Sequence, residues 1–490
     1  MSPHDPPASR SPERPLVDRS ALAGAGWASP RSAAGWACPR ARAGWASFGL
    51  AVLFWPCGAE ASGFATARFG GEHGNVLTTN PTALYYNPAG IGFSEGTDLY
   101  LDGNLAIRHA TWDHAAAPSD PAPPAGAEDA NAGRASLFNV FGAPALGATT
   151  RLGKLALGAG VFVPFGGRES WATNDKYANS PFPLAAAGVQ RWHIIDGALT
   201  FVYGTIGAAY RVGPISFGVA GNVVYSAVSF SQAKNPTGQG EPDTAREGRD
   251  ALDVSGIDAS FGVGVMVDVV PDRLWFAASY QSQPGLGPQT LTGTLRVKSP
   301  SFNQNDDVTF TQSLPDVARA GIRWRPSEDN EFRVFGDFTR WSVMGTQCVA
   351  LRGYACAVFP DGSDASGGTV ANYRRYWKNT FGAHIGASHW AAPGVELFAG
   401  VGGETAAVPD STLEPGLADA DTLDGTAGMR LLLANGFYLA VSYTHIQYFD
   451  RNNSGASTLA GAQVPTKQQD GGGQYKQWIG LIDVNVEKTF

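Results

Sequence analysis

Apolar and polar side chains alternate with a period of two from about Thr97 to the end of the chain. In the segment Leu99–Thr111, one set of alternate positions carries Leu99, Leu101, Gly103, Leu105 and Ile107, and the other carries Tyr100, Asp102, Asn104, Ala106 and Arg108. The segment Ile257–Val269 repeats this arrangement more clearly. Because successive side chains of a β-strand point to opposite faces, the pattern predicts strands with one apolar and one polar face.

The connections between the predicted strands differ in length at the two ends. Tight turns are expected at 153–154, 213–214, 271–272, 327–330, 392–394 and 435–436, and long polar loops at about 114–141, 166–195, 231–253, 345–372, 409–420 and 452–474. Alternation alone would also fit a soluble β-sandwich. Short turns at one end and long loops at the other are instead typical of outer-membrane barrels.

The number of alternating segments is 14, an even count that suits an antiparallel barrel. They are expected at 97–112, 143–152, 155–165, 196–211, 214–230, 255–270, 273–298, 307–325, 331–344, 373–391, 394–408, 421–433, 436–450 and 475–490. We therefore predict an all-β protein, with a 14-stranded antiparallel transmembrane β-barrel at residues 96–490.

The segment Asn80–Gly92, just before the first predicted strand, does not alternate. Each of its two Asn-Pro pairs fixes a φ angle, removes a backbone donor and pushes the preceding Asn out of the α region. Large apolar side chains lie between and after the pairs, so this irregular segment needs walls around it. We predict that residues 62–95 form an N-terminal hatch, or plug, inside the barrel lumen.

Residues 1–61 have the features of a leader with a signal peptide. An apolar run at 43–56 follows two arginines and precedes Ala-Glu-Ala at 59–61, which has the form of a signal-peptidase site. The Trp-Pro pair before Cys57 fits a lipoprotein motif poorly, so we expect cleavage rather than lipidation. We interpret residues 1–39 as a start assigned too early, because the leader is too long for an ordinary signal peptide.

The composition agrees with a barrel in a membrane. Charged residues make up 16% of the chain, against about a quarter of a typical soluble domain. The body of the chain has no run of about 18 uncharged apolar residues, so we expect no transmembrane helix there, and a closed barrel is the other structure that spans a membrane. Removal of the leader changes the net charge from −8 to −10, and such an acidic chain has no nucleic-acid footprint.

Few residues suggest catalytic or metal-binding chemistry. Cys348 and Cys356 lie in a Gly-rich loop with seven residues between them. In an exported protein such a pair indicates a disulfide, although two unpaired thiols or half of a zinc site would fit as well. The chain contains no His-Glu-x-x-His, phosphate-binding loop or CxxC motif, so we expect no enzyme activity, no cofactor and no metal.

Several short motifs follow one another in a specific order. They are Ser62-Gly63-Phe64 at the expected mature start, Asn87-Pro88-Ala89-Gly90 before the first strand, Val163-Pro164-Phe165-Gly166 at the end of the third, Gln190-Arg191-Trp192 before the fourth, Leu413-Glu414-Pro415-Gly416-Leu417-Ala418-Asp419, and Tyr443-Thr444-His445. In these motifs nearly the whole mature chain resembles the FadL/TodX (OmpP1) family of outer-membrane transporters for long-chain fatty acids and aromatic hydrocarbons. The long leader, the Cys348–Cys356 loop and Lys488 do not follow the family pattern.

The resemblance implies passive uptake of a hydrophobic ligand. The ligand would bind in a groove between extracellular loops, pass to an internal pocket and leave through a lateral opening beside the third strand. Gating would then belong to residues 62–64 and 87–90, and the lateral opening to residues 163–166. Pro164 cannot donate to a strand ladder, so a break in the third strand is expected from the sequence as well, and we expect Asn87-Pro88-Ala89 to contact that break.

The loop 166–195 carries more apolar surface than an exposed loop needs. Its large side chains include Trp171, Tyr177, Phe182, Leu184 and Trp192. We predict that these five line the ligand groove. The alternative is that the loop packs on its neighbours.

A ligand carboxylate in a low-dielectric lumen would need a cation beside it. Arg374 and Lys378 share a parity with the small and polar residues of the tenth predicted strand, and Arg108 has the polar parity of the first. These three are our candidates for a carboxylate anchor. The alternative is that they pair with lumenal carboxylates in structural networks.

We therefore predict a passive transporter in a Gram-negative outer membrane, which acts as a monomer on a hydrophobic small molecule and contacts outer-membrane lipid. Phe490 at the chain end is expected to be the signal for the barrel-assembly machinery. A general diffusion porin for polar solutes and a non-transporting surface adhesin are the alternatives, suggested by the polar strand faces and by the long loops.

Overall fold

The computed structural model describes residues 68–118, 120–236, 240–299 and 302–490. The predicted leader and the predicted gating residues Ser62, Gly63 and Phe64 lie outside the described residues. No helix in the described ranges is long and apolar enough to cross a membrane.

The described chain forms one large antiparallel sheet. Its strands are β1 (Thr97–His114), β2 (Gly133–Leu152), β3 (Leu155–Ser170), β4 (Asp196–Val212), β5 (Ile215–Lys234), β6 (Gly248–Val270), β7 (Leu274–Gln281), β8 (Gln289–Ser299), β9 (Phe302–Gln312), β10 (Val317–Ser327), β11 (Asn330–Thr339), β12 (Thr346–Leu351), β13 (Thr369–Arg374), β14 (Thr380–Ala392), β15 (Val395–Glu404), β16 (Thr422–Ala434), β17 (Phe437–Tyr448), β18 (Arg451–Asn452) and β19 (Gln474–Thr489). Pairing of β1 with both β2 and β19 closes the sheet into a barrel.

The predicted 14-stranded barrel is confirmed. Four barrel strands are each split in two, β7 with β8, β9 with β10, β11 with β12 and β13 with β14, and β18 continues β17, so the 19 segments make 14 barrel strands. The predicted alternation also holds, because Leu101 is 58% exposed on the outer face and its neighbour Asp102 only 1% on the inner face.

Several strands run further than the alternation indicated. β2 begins at Gly133 rather than at 143, β3 ends at Ser170 rather than at 165, and the hairpin of β5 and β6 extends to Lys234 and Gly248. These extensions lie on the side of the long loops. A strand in water needs no continuous apolar face, so the period-two signal fades there while the backbone pairing continues.

The seventh to tenth barrel strands lose their pairing at one common height. Pairing stops at Gln281–Val317, Val317–Thr339 and Thr339–Thr380, and resumes at Gln289–Gln312, Thr311–Cys348 and Thr346–Arg374. The segments 282–288, 313–316, 340–345 and 375–379, which lie outside the regular ladder but keep a few backbone hydrogen bonds to their neighbours, are therefore adjacent around the wall. We call these four segments the interruption belt.

Short helical turns occupy the hatch, the long loops and the belt. In the part of the chain that the structure describes, the one α-helical turn is α1 (Ala83–Tyr86). The 3-10 turns are Gly71–His73, Pro88–Phe93, Asp175–Tyr177, Pro183–Ala187, Val189–Trp192, Thr244–Arg246, Pro284–Leu286, Trp341–Val343, Pro415–Leu417 and Leu459–Gly461.

The two Asn-Pro pairs start the helical turns of the hatch. The Asn80 side-chain oxygen accepts from the backbone N–H of Thr82 at 3.0 Å, just ahead of α1. Asn87 is extended, with φ −162°, and its side-chain oxygen accepts from the N–H of Ala89 at 3.2 Å. An Asn cap followed by Pro at the first helical position is a strong start signal, so the segment folds locally into turns rather than a strand.

The hatch lies against the inner faces of β5 and β6. The Asn87 amide donates to the carbonyl oxygens of Val76 at 3.0 Å and Val265 at 3.2 Å. The Ser216 hydroxyl donates to the carbonyl oxygen of Ala89 at 2.7 Å. We expected residues 87–89 to contact the break at Pro164, but their hydrogen bonds lead to β5 and β6 instead, because the glycines of those strands let the hatch backbone approach closely.

Ion pairs and hydrogen bonds hold the start of the hatch to the opposite part of the wall. The Arg68 guanidinium binds both carboxylate oxygens of Asp424, at 2.8 and 3.0 Å. The N–H of Gly70 donates to Asp102 at 2.6 Å, and His73 lies 2.9 Å from Glu396. The described hatch is therefore anchored on both sides of the lumen.

Replacement of Gly218 by Ala should displace the hatch from the inner face of β5. An added Cβ would lie 2.1 Å from the backbone nitrogen of Ala89 and 2.2 Å from the carbonyl carbon of Pro88, and backbone atoms cannot rotate out of the way. We expect a folded, heat-modifiable barrel whose hatch is cleaved faster by an added protease. Gly221→Ala on the outer face of the same strand is the matched control, since it meets nothing within 4 Å. Equal cleavage of the two variants would contradict this packing.

Candidate functional site

β3 breaks where the sequence places Pro164. In the ladder with β4, Phe162 pairs with Tyr203 and Phe165 pairs with Phe201, so Val163 and Pro164 together face one partner residue. This is the geometry of a β-bulge. Because Pro164 has no N–H to donate, an extra residue at this position costs the ladder fewer backbone hydrogen bonds than it would elsewhere in the strand.

Above this bulge β3 separates from β2. Their pairing runs only from Leu146–Val161 to Leu152–Leu155. Beyond it, the remaining part of β2 pairs with β1 and the remaining part of β3 pairs with β4. The two strands meet again at the rim, where the Asn139 side chain bonds to the backbone of Ser170. We call this unpaired stretch, between residues 140–145 and 162–169, the wall window.

An inner cavity of about 130 Å³ lies between the hatch and the barrel wall. Its lining includes Tyr85, Tyr86, Pro164, Phe165, Arg319 and Trp341. The same cavity therefore touches the hatch, the β3 break at the wall window and the interruption belt.

The inner cavity combines aromatic and charged surfaces. The Arg319 guanidinium lies 5.0 Å from the ring centre of Tyr85 and 5.7 Å from that of Tyr86. Asp337 and Glu404 also contribute to the lining. The aromatic rings would contact an apolar chain or ring, and Arg319 offers a cation to a polar end group.

An outer cavity of about 80 Å³ lies on the side of the long loops, between the ends of several strands and the loops that carry His193 and Glu414. Its apolar lining includes Ile194, Leu199, Val228, Phe230, Phe310 and Leu417. Its polar lining includes Glu169, Gln232, His193, Gln347, Arg375 and Glu414. An amphipathic or apolar molecule would fit such a surface.

Glu414 connects three parts of the outer cavity. It forms a buried ion pair with Arg375 and lies 2.9 Å from the His193 ring nitrogen, and Arg375 also donates to Gln347 at 2.8 Å. Burial by itself would raise the pKa of Glu414, but the Arg375 guanidinium and the His193 ring outweigh burial and hold the pKa at about 2. The Glu414 carboxylate therefore stays charged. It holds its own loop, the loop that carries His193 and the belt segment that carries Arg375 together.

The five side chains predicted to line the groove do not line the outer cavity. Tyr177 is buried against Ala127 and Ala130 of the preceding loop, and the Trp192 indole donates to Asn131 at 3.0 Å. Phe182 packs on the same cluster, Trp171 bridges to Leu137 of β2, and the Leu184 carbonyl accepts from Arg249. The alternative of loop packing describes Tyr177, Phe182 and Trp192 better, because these three contact the neighbouring loop 115–132.

The cation candidates also differ from the sequence expectation. Arg108 is fully buried and bonds to Glu169 at 2.7 Å and to Gln477, which is the structural pairing given as the alternative. Lys378 is exposed and lies in the belt segment 375–379, outside any strand. Arg374 is half-buried at the end of β13. The prediction that Arg374 and Lys378 point to the same face fails, because the strand ends at Arg374 and the belt segment 375–379 does not alternate.

Sequence reasoning missed Arg375, Arg319, Trp341 and Trp377. Arg375 and Trp377 are buried at the positions assigned to the other parity. Pro284 and Pro315 are the signals that would have shown the interruptions, since proline rarely occupies the interior of a central strand. The predicted cysteine pair, Cys348 and Cys356, is disulfide-bonded, with its Cα atoms 6.3 Å apart.

Comparison with known families agrees with this geometry. Residues 57–470 match the family model described as outer membrane protein transport protein (OMPP1/FadL/TodX). The chain belongs to the FadL/TodX family. The barrel, its localisation to the outer membrane and the assignment to a transport family rather than an enzyme family follow from this match.

Solved structures of FadL/TodX proteins share the fold. A FadL homologue from Pseudomonas aeruginosa is 14% identical, with a TM-score of 0.70 over 88% of this chain and 98% of that one. The toluene transporters TbuX of Ralstonia pickettii and TodX of Pseudomonas putida are each 15% identical, with TM-scores of 0.58 and 0.59 over 88% of this chain and 99% of theirs. No protein of curated function matches the sequence.

Replacement of Glu414 by Gln should loosen the extracellular loops of this FadL/TodX-family chain. Loss of one partner of a buried ion pair costs about 3–5 kcal/mol. Because the pKa is depressed to about 2, the stabilisation is full above the unfolded-state pKa and is lost only as the pH falls through about 2. At pH 7 we therefore expect faster proteolysis of the loops in the variant.

The control is Asp410→Asn. Asp410 lies in the same loop as Glu414, and its replacement removes an exposed ion pair with Arg451. Such pairs contribute about 0–1 kcal/mol, so its proteolysis rate should match that of the wild type. If Glu414→Gln were as resistant as Asp410→Asn at pH 7, the buried pair would not be what holds these loops.

Proposed function

We propose that this protein takes up hydrophobic molecules passively, by way of the outer cavity, the inner cavity and the wall window. The ligand is collected among the extracellular loops, moves into the lumen beside the hatch and leaves sideways between β2 and β3. Transport of hydrophobic compounds across the outer membrane fits the family, and the route with its lateral release point is the one that the resemblance implies.

One observation carries this proposal. The inner cavity reaches Pro164 and Phe165, which are on the edge of β3 that has no β2 partner. In a bilayer an unpaired strand edge is costly unless something else satisfies it. Neither Pro144 of β2 nor Pro164 of β3 has an N–H, so these two residues add no unsatisfied donor to the window.

The filled lumen argues against a general diffusion porin. The hatch side chains Ala83, Leu84, Ala89 and Ile91 are completely buried, and their segment bonds to several strands. A water-filled pore needs a polar, open lumen. Toluene is named as the substrate of two similar structures, which supports apolar molecules as the class of ligand here.

Assembly and oligomeric state are part of the same proposal. Phe490 is 70% exposed at the barrel end, and its backbone pairs with Thr97. It is thereby accessible to the barrel-assembly machinery while β19 closes on β1. We propose that the protein works as a monomer, because each barrel contains its own hatch, cavities and window.

Deletion of Pro164 should close the window. Without the extra residue, Val163 would pair with Val202, Phe165 would still face inward, and β3 could continue its ladder with β2. We expect an assembled barrel that has lost most of its uptake of radiolabelled toluene, measured in a bacterial host that lacks other transporters of this family.

The matched control is Pro164→Ala, which keeps two residues opposite one and should retain most of the uptake. Outer-membrane levels and heat-modifiable mobility of both variants show that the barrels assemble. Normal toluene uptake by the assembled deletion variant would rule out release through this window.

A further inference from the structure

We propose that Phe165, Trp341 and Trp377 form an aromatic gate between the outer and inner cavities, which limits the width of the molecules that pass. This inference rests on the proposed function, since it concerns a point on the same route. It adds specificity-determining residues to that route.

Phe165 and Trp341 lie at the boundary between the cavities, and Trp377 packs against Trp341. On β3, Phe165 lines the inner cavity, while Gly167 and Glu169, further along the same strand, line the outer one. On the other side of the lumen, Trp341 lines the inner cavity and Arg375 lines the outer one. A ligand that moves from the outer to the inner cavity must therefore pass these rings.

The rings contact one another edge to face. The ring centres of Phe165 and Trp341 are 6.2 Å apart at 75°, and those of Trp341 and Trp377 are 4.9 Å apart at 68°. Both indoles are almost completely buried, with exposures of 2% and 3%. This geometry is favourable for aromatic pairs, so the structure shows the gate closed.

The backbone beneath each ring lacks regular strand pairing on one side. Phe165 follows the β3 bulge and has no β2 partner. Trp341 and Trp377 lie in the belt segments 340–345 and 375–379, between the split halves of their strands. Segments with fewer ladder hydrogen bonds open at lower free energy than a paired strand, which suits rings that must move aside.

The gate also explains why the belt contributes indoles to the lumen. Met344 and Leu314 of the belt are fully buried in the same cluster as the two tryptophans. Burial of these side chains in the cluster limits how far the belt segments can move. A flat single ring can pass after a small ring rotation, whereas a wider fused ring system needs a larger displacement.

The test compares two probes of different width. Uptake of radiolabelled toluene and phenanthrene is measured in the host described above, with the wild type and with Trp341→Ala. Loss of the Trp341 contacts should raise the uptake of phenanthrene relative to toluene by about threefold to tenfold, the factor that one aromatic pair contributes.

Two further variants keep the result interpretable. Trp341→Phe retains a ring and should give a smaller increase, which serves as the readout if Trp341→Ala assembles poorly. Trp324→Ala is the matched control, because Trp324 is 51% exposed on the outer face of β10 and its loss should leave the uptake ratio unchanged.

The failure of the gate differs from the failure of the proposed function. If the wild type takes up both probes and neither Trp341 variant changes their ratio, the gate is overturned and the route stands. If the wild type takes up neither probe above an empty host, the route itself is wrong and the gate falls with it.

A cross-link provides an independent check. In the double variant Phe165→Cys with Trp341→Cys, a short bifunctional thiol reagent should lower toluene uptake well below that of the same variant treated with a monofunctional thiol reagent of similar size. Uptake that persists in the cross-linked double variant would overturn the gate.

Discussion

Backbone hydrogen bonding is the constraint on which this structure depends. In a bilayer each N–H and C=O needs a partner within the protein, and the closed ladder from β1 round to β19 provides one for most of the wall. Regular pairing of the strands is interrupted in two regions, above the β3 bulge and along the interruption belt. The inner cavity touches both regions, so the departures from regular pairing coincide with the proposed route of the ligand.

Several glycines of the barrel wall leave the space that the hatch occupies. Ideal Cβ atoms at Gly218 and Gly264 would lie 2.1 Å and 1.9 Å from atoms of the hatch, and one at Gly386 would lie 1.8 Å from the Glu72 carboxylate. The wall is therefore shaped to hold the hatch. The inner cavity beside the hatch is small, about 130 Å³, so the positions of a few aromatic side chains matter for what passes.

Much of the fold can be predicted from the sequence because a barrel in lipid obeys strict periodicity. The alternation at Leu99–Thr111 gave the facing of β1 correctly, and the Asn-Pro pairs correctly indicated turns within a plug. Pro164 correctly marked the break in β3. Each of these is a local signal, in which the side chains that carry it also determine the structure.

The cavity residues were harder to predict because they depend on contacts between distant segments. Tyr177 and Trp192 are covered by the loop 115–132, which no local pattern shows. Arg375 replaced Arg374 as the buried cation because the belt shifts the parity of one strand. Side chains on irregular backbone follow tertiary packing rather than period two, and the site is built mainly from such segments.

The most direct measurement is a crystal structure with a bromine-labelled hydrophobic ligand, in which anomalous scattering locates the bromine. Transport through the wall window predicts bromine peaks in the inner cavity between Tyr85 and Phe165 and at the opening between β2 and β3. Bromine peaks beneath the hatch, between His73 and Arg323 at the periplasmic end of the lumen, would show an axial route and contradict lateral release.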